Sequence, residues 1–114
     1  MQYKFTIIVP VYNEEDNLLR VEEELLNYTK IASKPTKILF VNDGSKDNSQ
    51  ALIEAICDRN PVFTYISFKE NRGLSAAIKA GFDAADTELV GYIDSDLQTA
   101  PEDFNLLLEE IGTY

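Results

Sequence analysis

Four short runs of apolar, β-branched and aromatic residues recur along the chain and predict four β-strands. The runs cover residues 5–9, 38–41, 63–68 and 89–93. Most of them are nearly continuous, which is typical of strands buried on both faces. The first strand should end at Pro10, because proline has no N–H to give to a strand ladder, and Val11 should lead out of the sheet.

Between these runs, apolar residues recur at helical spacing and predict amphipathic helices. Three such segments precede the last strand: residues 16–30, 45–60 and 74–85. Asp16 is expected to be the N-cap of the first, and Ser45 or Asp47 that of the second. A fourth helix should begin at Pro101, since proline suits the first helical position.

The alternation of strands and helices predicts an α/β domain with a parallel sheet covered by helices on both faces. Ligands of such sheets bind outside the carboxyl ends of the strands. The conspicuous polar groups of this chain follow the predicted strands and should therefore meet at one edge. They are Tyr12-Asn13-Glu14, Asp43-Gly44-Ser45, Arg72-Gly73 and Asp94-Ser95-Asp96.

Size and charge narrow the range of partners. With 114 residues, 45% of them hydrophobic, the chain suits one domain with one core. A net charge of −10 argues against charge-driven binding to nucleic acid or to an anionic membrane. No apolar run approaches the roughly 18 residues of a membrane span, and the N-terminus lacks a secretory pattern, so we expect a cytoplasmic segment without a membrane span.

Cysteine and histidine usage excludes two kinds of site. The only cysteine, Cys57, cannot form an internal disulfide, and without histidine the usual Cys/His zinc sites are unavailable. Cys57 adjoins Ile56 in a helical pattern, so we interpret it as a small apolar residue.

The two carboxylates after the last strand suggest a metal site. In extended backbone, residues two apart point the same way, so Asp94 and Asp96 can converge on one cation, with Gln98 continuing the row. Oxygen ligands of this kind suit Mg²⁺ or Mn²⁺. The alternative is that Asp94-Ser95-Asp96 is only solvated turn chemistry.

An acidic edge with one aromatic residue and one arginine suits a nucleotide that carries a diphosphate. A divalent cation would bridge its phosphate oxygens to the carboxylates, and Asp43 could accept hydrogen bonds from the base or ribose. Glycine-rich motifs for dinucleotides or P-loop phosphates are absent from the sequence. Simpler alternatives are a turn and cap at Asp43-Gly44-Ser45, a plain edge aromatic at Tyr12 and a solvated Arg72.

Four motifs, in order, resemble the signature of family 2 glycosyltransferases with the GT-A fold. They occupy residues 7–15, 41–47, 71–82 and 94–98. The resemblance covers essentially the whole chain and implies a Rossmann-like sheet of about four parallel strands in the order 3-2-1-4. The form Asp-Ser-Asp-Leu-Gln, followed by Pro101-Glu102, is most similar to the branch that moves a sugar onto a polyprenyl or dolichyl phosphate.

The resemblance also implies roles for single residues. Tyr12 would pack against the nucleotide, Glu14 would lie near the base or ribose, and Asp43 would hydrogen-bond a uracil or guanine base. The set implied for the nucleotide sugar is Pro10, Tyr12, Glu14, Asp43, Arg72, Asp94 and Ser95, and the set for the metal is Asp94, Asp96 and Gln98.

The implied function is metal-dependent, inverting transfer of a sugar from a UDP- or GDP-linked donor to a polyprenyl phosphate or glycan. Family members continue past Asp-x-Asp into an acceptor-binding half, so we expect residues 1–114 to be one nucleotide-sugar-binding domain truncated from a longer enzyme. The catalytic base would then lie beyond residue 114. The full-length protein would act at the cytoplasmic face of a membrane.

Two other functions remain open. The segment could be a non-catalytic module that binds a nucleotide sugar or metal without turnover. It could also be a phosphotransferase with Asp94 as an aspartyl nucleophile, although that chemistry would place the motif on the first strand and a hydroxyl where Gln98 stands.

Overall fold

The computed structural model describes residues 3–93, which form four strands and three helices in strict alternation. The elements are β1 Phe5–Val11, α1 Leu18–Ile31, β2 Thr36–Asn42, α2 Ser49–Arg59, β3 Phe63–Ser67, α3 Leu74–Ala84 and β4 Leu89–Tyr92. Among these residues, none of the helices has the length and apolar character needed to cross a membrane. The helix expected from Pro101 lies outside the described residues.

All four strands are parallel and lie in the order β3-β2-β1-β4, which confirms the expected order 3-2-1-4. In this register Val11 lies beside Asn42, and Asn42 lies beside Ser67. On the other side of β1, Ile8 lies beside Tyr92. The carboxyl ends of the strands therefore share one edge of the sheet, called the carboxyl edge below.

The first strand does not end at Pro10, as the sequence predicted, but continues through it to Val11. Alternate residues of a parallel strand hydrogen-bond to opposite neighbours. The Ile8 carbonyl accepts from Ile93 on the β4 side, and the Val11 carbonyl accepts from Asp43 on the β2 side. Pro10 therefore points to the β4 side, past the last described pair of β1 and β4, where its missing N–H breaks no ladder bond between β1 and β2.

The expected helix caps were also wrong in detail. Helix α1 begins at Leu18 with Asn17, not Asp16, at the N-cap position, and the Asn17 side chain makes no cap hydrogen bond. Helix α2 begins at Ser49, where Asp47 Oδ1 accepts the Ser49 N–H at 2.9 Å. Asp47 therefore stabilises the start of α2, although it lies just before the N-cap position.

The larger part of the core lies on the sheet face covered by α1 and α2. Ile7 and Val9 of β1 point to this face and are fully buried, as are Leu25 of α1 and Ile56 of α2. Burial of one such side chain stabilises the fold by roughly 1.5–3 kcal/mol. This apolar layer fixes the positions of β1 and β2, and hence of the loops that follow them.

The opposite face is covered by α3, which packs through small residues. Ala77 and Gly81 are buried against the sheet, and a Cβ at Gly81 would lie only 2.6 Å from the Ile8 side chain. Leu74 and Phe82, which belong to the apolar residues at helical spacing that predicted a helix over residues 74–85, are instead exposed. The close approach at Gly81 holds α3 against β1. Because α3 follows β3, it begins at the carboxyl edge.

Candidate functional site

The β1–α1 loop (residues 12–17) is hydrogen-bonded to the β2–α2 loop (residues 43–48). The Asn13 N–H donates to Ser45 Oγ at 3.0 Å, and Asn13 Oδ1 accepts the Lys46 N–H at 2.8 Å. The Glu14 N–H donates to Ser49 Oγ, at the start of α2, at 2.9 Å. Side chains of one segment thus satisfy the backbone of the other, which fixes their separation.

Asp47 adds a further bond between these two loops. Its Oδ2 accepts the Glu15 N–H at 3.3 Å, while Oδ1 accepts from Ser49. Partial burial alone would raise the pKa of Asp47, but the hydrogen bonds from Ser49 and Glu15 outweigh it and lower the pKa. The carboxylate is therefore charged at neutral pH, and its hydrogen bonds connect the two loops.

Asp43 joins the β2–α2 loop to the β3–α3 loop (residues 68–73). It is only 4% exposed, and its Oδ1 accepts the Arg72 N–H at 2.7 Å. Its Oδ2 accepts the Gly73 N–H and the Asn71 Nδ2–H, both at 3.0 Å. A buried carboxylate needs such donors. The Asp43 side chain therefore fixes the position of residues 71–73 in the loop between β3 and α3.

The contact between these two loops requires glycine at position 44. Gly44 has φ +69°, and an added Cβ would lie 2.3 Å from the backbone carbon of Glu70 and 2.4 Å from the Asn71 nitrogen. Only glycine combines this dihedral angle with so close an approach of two backbones. The motif Asp43-Gly44-Ser45 therefore works as a packed junction as well as a turn.

Two exposed side chains flank this junction. Tyr12, on the β1 side, is 41% exposed. Arg72, on the β3 side, is exposed and places its guanidinium 4.7 Å from the centroid of the Phe68 ring. An aromatic ring and a delocalised cation on either side of a polar loop can contact a planar base and an anionic group.

A polar network beneath the junction was not expected from the sequence. Asn42, at the end of β2, accepts the Ser45 N–H through Oδ1 and donates through Nδ2 to Gln50 Oε1 at 2.7 Å. Ser67 Oγ, at the end of β3, donates to the same Gln50 oxygen at 2.7 Å. Asn42 and Gln50 therefore support the β2–α2 loop from within, and only the polarity of Asn42 at the end of an apolar strand could have signalled it.

Glu14 turns back toward its own helix. Its Oε2 accepts the Asn17 Nδ2–H at 2.7 Å, and its carbonyl accepts the N–H groups of Asn17 and Leu18. These bonds satisfy donors at the start of α1. The expected contact of Glu14 with a base or ribose stays a prediction.

The structure brings together four of the predicted site residues: Tyr12, Glu14, Asp43 and Arg72 follow neighbouring strands at the carboxyl edge. Pro10 lies instead within β1 and is buried. The other predicted residues, Asp94, Ser95, Asp96 and Gln98, lie outside the described residues. Ile93, immediately before them in sequence, donates its N–H to the Ile8 carbonyl, so β4 runs beside β1 up to that point.

Residues 3–93 do not themselves assemble a metal site. Within this range no three Cys, Asp or Glu side chains are grouped as metal ligands. The carboxylates of Glu14, Asp43 and Asp47 already accept hydrogen bonds from the loops. Each of these three carboxylates therefore has at least one oxygen engaged by the loops.

Two curated relatives are similar to nearly all of this chain. It is 37% identical over 107 residues to an undecaprenyl-phosphate 4-deoxy-4-formamido-L-arabinose transferase of Proteus mirabilis, with 92% of this chain and 32% of that protein covered. It is 34% identical over 107 residues to a prophage bactoprenol glucosyl transferase homolog of Escherichia coli, with 94% and 35% covered. The chain thus spans about a third of the length of these relatives.

Solved structures share the fold. The mannosyltransferase PcManGT of Pyrobaculum calidifontis, in complex with GDP-Man and Mn²⁺, superposes with a TM-score of 0.66 at 25% identity, covering 84% of this chain and 28% of that one. S. aureus TarS 1–349, in complex with UDP, gives a TM-score of 0.67 at 24% identity, covering 94% and 32%. The sheet order and these neighbours confirm the GT-A type of fold.

The family model described as glycosyl transferase family 2 matches residues 6–114. The match includes the β1–α1, β2–α2 and β3–α3 loops that meet at the carboxyl edge. Together with the two curated relatives, it confirms the resemblance drawn from the four motifs, including its closeness to the polyprenyl-phosphate branch. The chain belongs to glycosyl transferase family 2.

Proposed function

We propose that this chain is the donor-binding part of a glycosyltransferase that takes a sugar from a nucleoside diphosphate sugar. The observation that carries the proposal is the meeting of three loops at the carboxyl edge, held together by hydrogen bonds at Asn13 and Asp43. Open parallel sheets bind ligands at this edge. Family membership makes a sugar nucleotide the ligand to test first.

The two flanking side chains would hold the nucleotide. Tyr12 would pack against the base, and Arg72 would contact the base or the diphosphate. Asp43 would hydrogen-bond the base through a lone pair left free by its loop donors, since each carboxylate oxygen can accept more than one bond. Glu14 would lie near the base or ribose, and Pro10, near the end of β1, would belong to the same nucleotide-sugar site.

A divalent cation, Mn²⁺ or Mg²⁺, would be held by Asp94, Asp96 and Gln98, with Asp94 and Ser95 also beside the nucleotide sugar. These residues follow β4 directly in sequence, and their oxygen chemistry suits hard cations. When bound, the cation would neutralise the diphosphate and stabilise it as a leaving group. The proposal is supported by the neighbour PcManGT, whose complex contains GDP-Man and Mn²⁺.

For the whole protein we propose inverting transfer to a polyprenyl phosphate at the cytoplasmic face of a membrane. The names of the curated relatives support this acceptor, since they are undecaprenyl-phosphate and bactoprenol sugar transferases. Residues 1–114 would then be a single donor-binding domain of a longer enzyme, consistent with the third of the relatives' length that they span. The base or acceptor-orienting groups would come from outside this segment.

A second candidate function is nucleotide-sugar binding without turnover. The observation that favours it is that both partners of the loop contacts at Asn13, Asp43 and Gly44 lie within residues 3–93. These loops therefore do not depend on another part of the protein for those contacts. Calorimetry with UDP and GDP on residues 1–114 should show binding under either function, so the glycosyl-transfer assay that separates them is run on the longer protein that contains these residues. Transfer by that protein supports the enzyme, and binding without transfer supports the module.

The first experiment is a thermal-shift screen of UDP, GDP and their sugar conjugates, with and without Mn²⁺. A ligand that binds only the folded chain raises its midpoint, by an amount that corresponds to about 2.7 kcal/mol at a hundredfold excess over Kd. We expect one nucleoside diphosphate to raise the midpoint, and to raise it further with Mn²⁺. No shift with any of them would contradict the proposed function.

The metal role is tested with Asp96→Asn, which removes one ligand charge and keeps the side-chain size. Nucleotide affinity in the presence of Mn²⁺ should fall about tenfold or more, in line with changes at metal sites. Asp83→Asn is the matched control, because Asp83 lies in the last turn of α3 in an exposed ion pair with Lys79. An Asp96→Asn chain with unchanged Mn²⁺-dependent affinity would exclude this residue from the metal site.

The base contact is tested with Asp43→Ala in the absence of metal. Loss of a charged hydrogen-bond acceptor costs about 1.5–3 kcal/mol, so nucleotide affinity should fall at least tenfold even without Mn²⁺. Far-ultraviolet circular dichroism and the thermal midpoint would verify that the variant is folded. Equal affinity in the two proteins would remove Asp43 from the base pocket.

A further inference from the structure

We infer that Asn13 is a positioning residue for the donor site, which fixes the backbone of Tyr12 by locking the β1–α1 loop onto the β2–α2 loop. The inference rests on the proposed function, because it concerns the same nucleotide site. The residue itself would touch neither the nucleotide nor the metal.

The backbone at Asn13 is unusual. Among residues 3–93, Asn13 is the only residue other than glycine with a positive φ, at +54°. This left-handed region is costly for most side chains and least so for asparagine and aspartate. The conformation bends the chain one residue after Tyr12, so it contributes to the direction in which the loop leaves β1.

Two hydrogen bonds hold this conformation, and they go to consecutive residues of the opposite loop. The Asn13 N–H donates to Ser45 Oγ, and Asn13 Oδ1 accepts the Lys46 N–H at 2.8 Å. The backbone of Asn13 thus bonds to a side chain of the opposite loop, and its side chain bonds to the backbone of that loop. Such a pair restrains both the position of the loop and its rotation.

The β2–α2 loop, which provides the partners of these bonds, is itself held in place by other contacts. Asn42 Oδ1 holds the Ser45 N–H at 3.2 Å, and Gly44 packs against the backbone of Glu70 and Asn71. On the other side of Tyr12, the Val11 carbonyl accepts the Asp43 N–H at 2.8 Å. The same loop therefore holds the backbone immediately before and after Tyr12.

The consequence for binding is preorganisation of an exposed ring. The Tyr12 side chain is open to solvent while its backbone is held on both sides. A ligand that packs on this ring would not have to order the loop first, which removes part of the entropic cost of binding. Without the Asn13 side chain, the loop would have to become ordered on binding, and nucleotide affinity should fall.

Three substitutions separate the backbone role of Asn13 from its hydrogen bond. Asn13→Asp keeps the left-handed tolerance and an acceptor oxygen, Asn13→Gly keeps only the tolerance, and Asn13→Ala loses both. A net hydrogen bond is worth about 0.5–1.5 kcal/mol, so affinity should fall about 2- to 12-fold in Asn13→Gly and further in Asn13→Ala. Asn13→Asp should stay within about threefold of the natural chain.

The measurement is calorimetry with UDP and GDP at fixed Mn²⁺, repeated in a Tyr12→Ala background. If Asn13 acts through Tyr12, the loss caused by Asn13→Gly should disappear once the ring is absent. Equal losses in both backgrounds, or unchanged affinity in Asn13→Gly, would overturn the positioning role alone. A natural chain that binds neither nucleotide would overturn the proposed function and this inference with it.

Amide hydrogen exchange of the ligand-free chain tests the lock without any nucleotide. The Lys46 N–H should exchange faster in Asn13→Gly than in the natural chain, while Asn13→Asp should retain the protection. Unchanged exchange at Lys46 in Asn13→Gly would show that the side chain does not hold the two loops together, which would also overturn the positioning role.

Discussion

The body of the sheet and its carboxyl edge are held together by different forces. In the body, side chains such as Ile7, Phe40 and Ile56 are fully buried in apolar contacts. At the edge, the loops after β1, β2 and β3 are held by directed hydrogen bonds to Asp43 and Asn13. Apolar packing depends on volume and tolerates exchange, whereas these bonds depend on particular atoms.

This difference indicates where the chain depends on residue identity. The edge bonds cross from one loop to the next, and most of them involve the β2–α2 loop. A change in the body should lower the stability of the whole fold, while a change at the edge should disturb the site more than the fold. The predictions below are arranged to test that contrast.

The largest expected effect is in the body, for Phe40→Ala. Phe40 is fully buried and stacks on Phe63 with ring centroids 5.6 Å apart, so its truncation should lower the free energy of unfolding by about 3–5 kcal/mol. Phe82→Ala is the matched control, because Phe82 is 45% exposed on α3 and should cost less than about 1 kcal/mol. Urea unfolding of both variants measures the difference, and similar costs would refute this account of the core.

At the edge, Gly44→Ala should cost about 2–4 kcal/mol. The new Cβ would overlap the backbone of Glu70 and Asn71 and would also have to adopt a positive φ. Gly73→Ala is the control, since Gly73 also has a positive φ, at +99°, but no heavy atom within 4 Å of its added Cβ, so it should cost only the backbone strain of about 1–3 kcal/mol and less than Gly44→Ala.

The region in which Gly44→Ala loses hydrogen-exchange protection is as informative as the loss of unfolding free energy. In Gly44→Ala, hydrogen exchange should quicken at the Arg72 and Gly73 N–H groups, which donate to Asp43, more than in the centre of β1. A uniform loss of protection across the sheet would show that edge and body unfold as one unit, and the comparison above would then fail.

The apolar pattern predicted the body of the fold well, for a physical reason. Short, nearly continuous apolar runs separated by helical stripes leave few arrangements in which every apolar face is covered, so a parallel sheet with helices on both faces followed from the pattern. The pattern could not predict which part of a stripe faces the sheet. On α3 the sheet lies against Ala77 and Gly81, because the close approach of Ile8 excludes larger residues there, and Leu74 and Phe82 are left exposed.

The edge was predictable only in outline. The motifs indicated which loops would meet, and the structure brings Tyr12, Asp43 and Arg72 to neighbouring strand ends. The partners of Asp43 lie 28 to 30 residues further along the chain, and their approach depends on the packing of two loops. A hydrogen bond between distant segments leaves no periodic signal, so the roles of Asn13 and Gln50 could not be inferred from sequence.

The smallest expected effect lies on the rim of the body, where Glu22 of α1 meets Arg59 at the end of α2. Arg59 Nε donates to Glu22 Oε2 at 2.7 Å, and Asn60 Nδ2 donates to the same oxygen at 2.7 Å. The hydrogen bond from Arg59 is the main cause that lowers the pKa of Glu22, and it outweighs the opposing effect of burial. Glu22→Gln should cost about 1 kcal/mol at neutral pH, because the partners remain accessible to solvent.

The sign of the pH dependence follows from that lowered pKa. Since the pKa of Glu22 is lower in the folded chain than in the unfolded chain, the stabilisation is present at neutral pH and is lost as the pH falls through the folded value. The difference in unfolding free energy between the natural chain and Glu22→Gln should therefore shrink between about pH 7 and pH 3, as measured by urea unfolding. A difference independent of pH would mean that Glu22 joins α1 to α2 by packing and neutral hydrogen bonds, and the rim would then resemble the apolar body more than the charged edge.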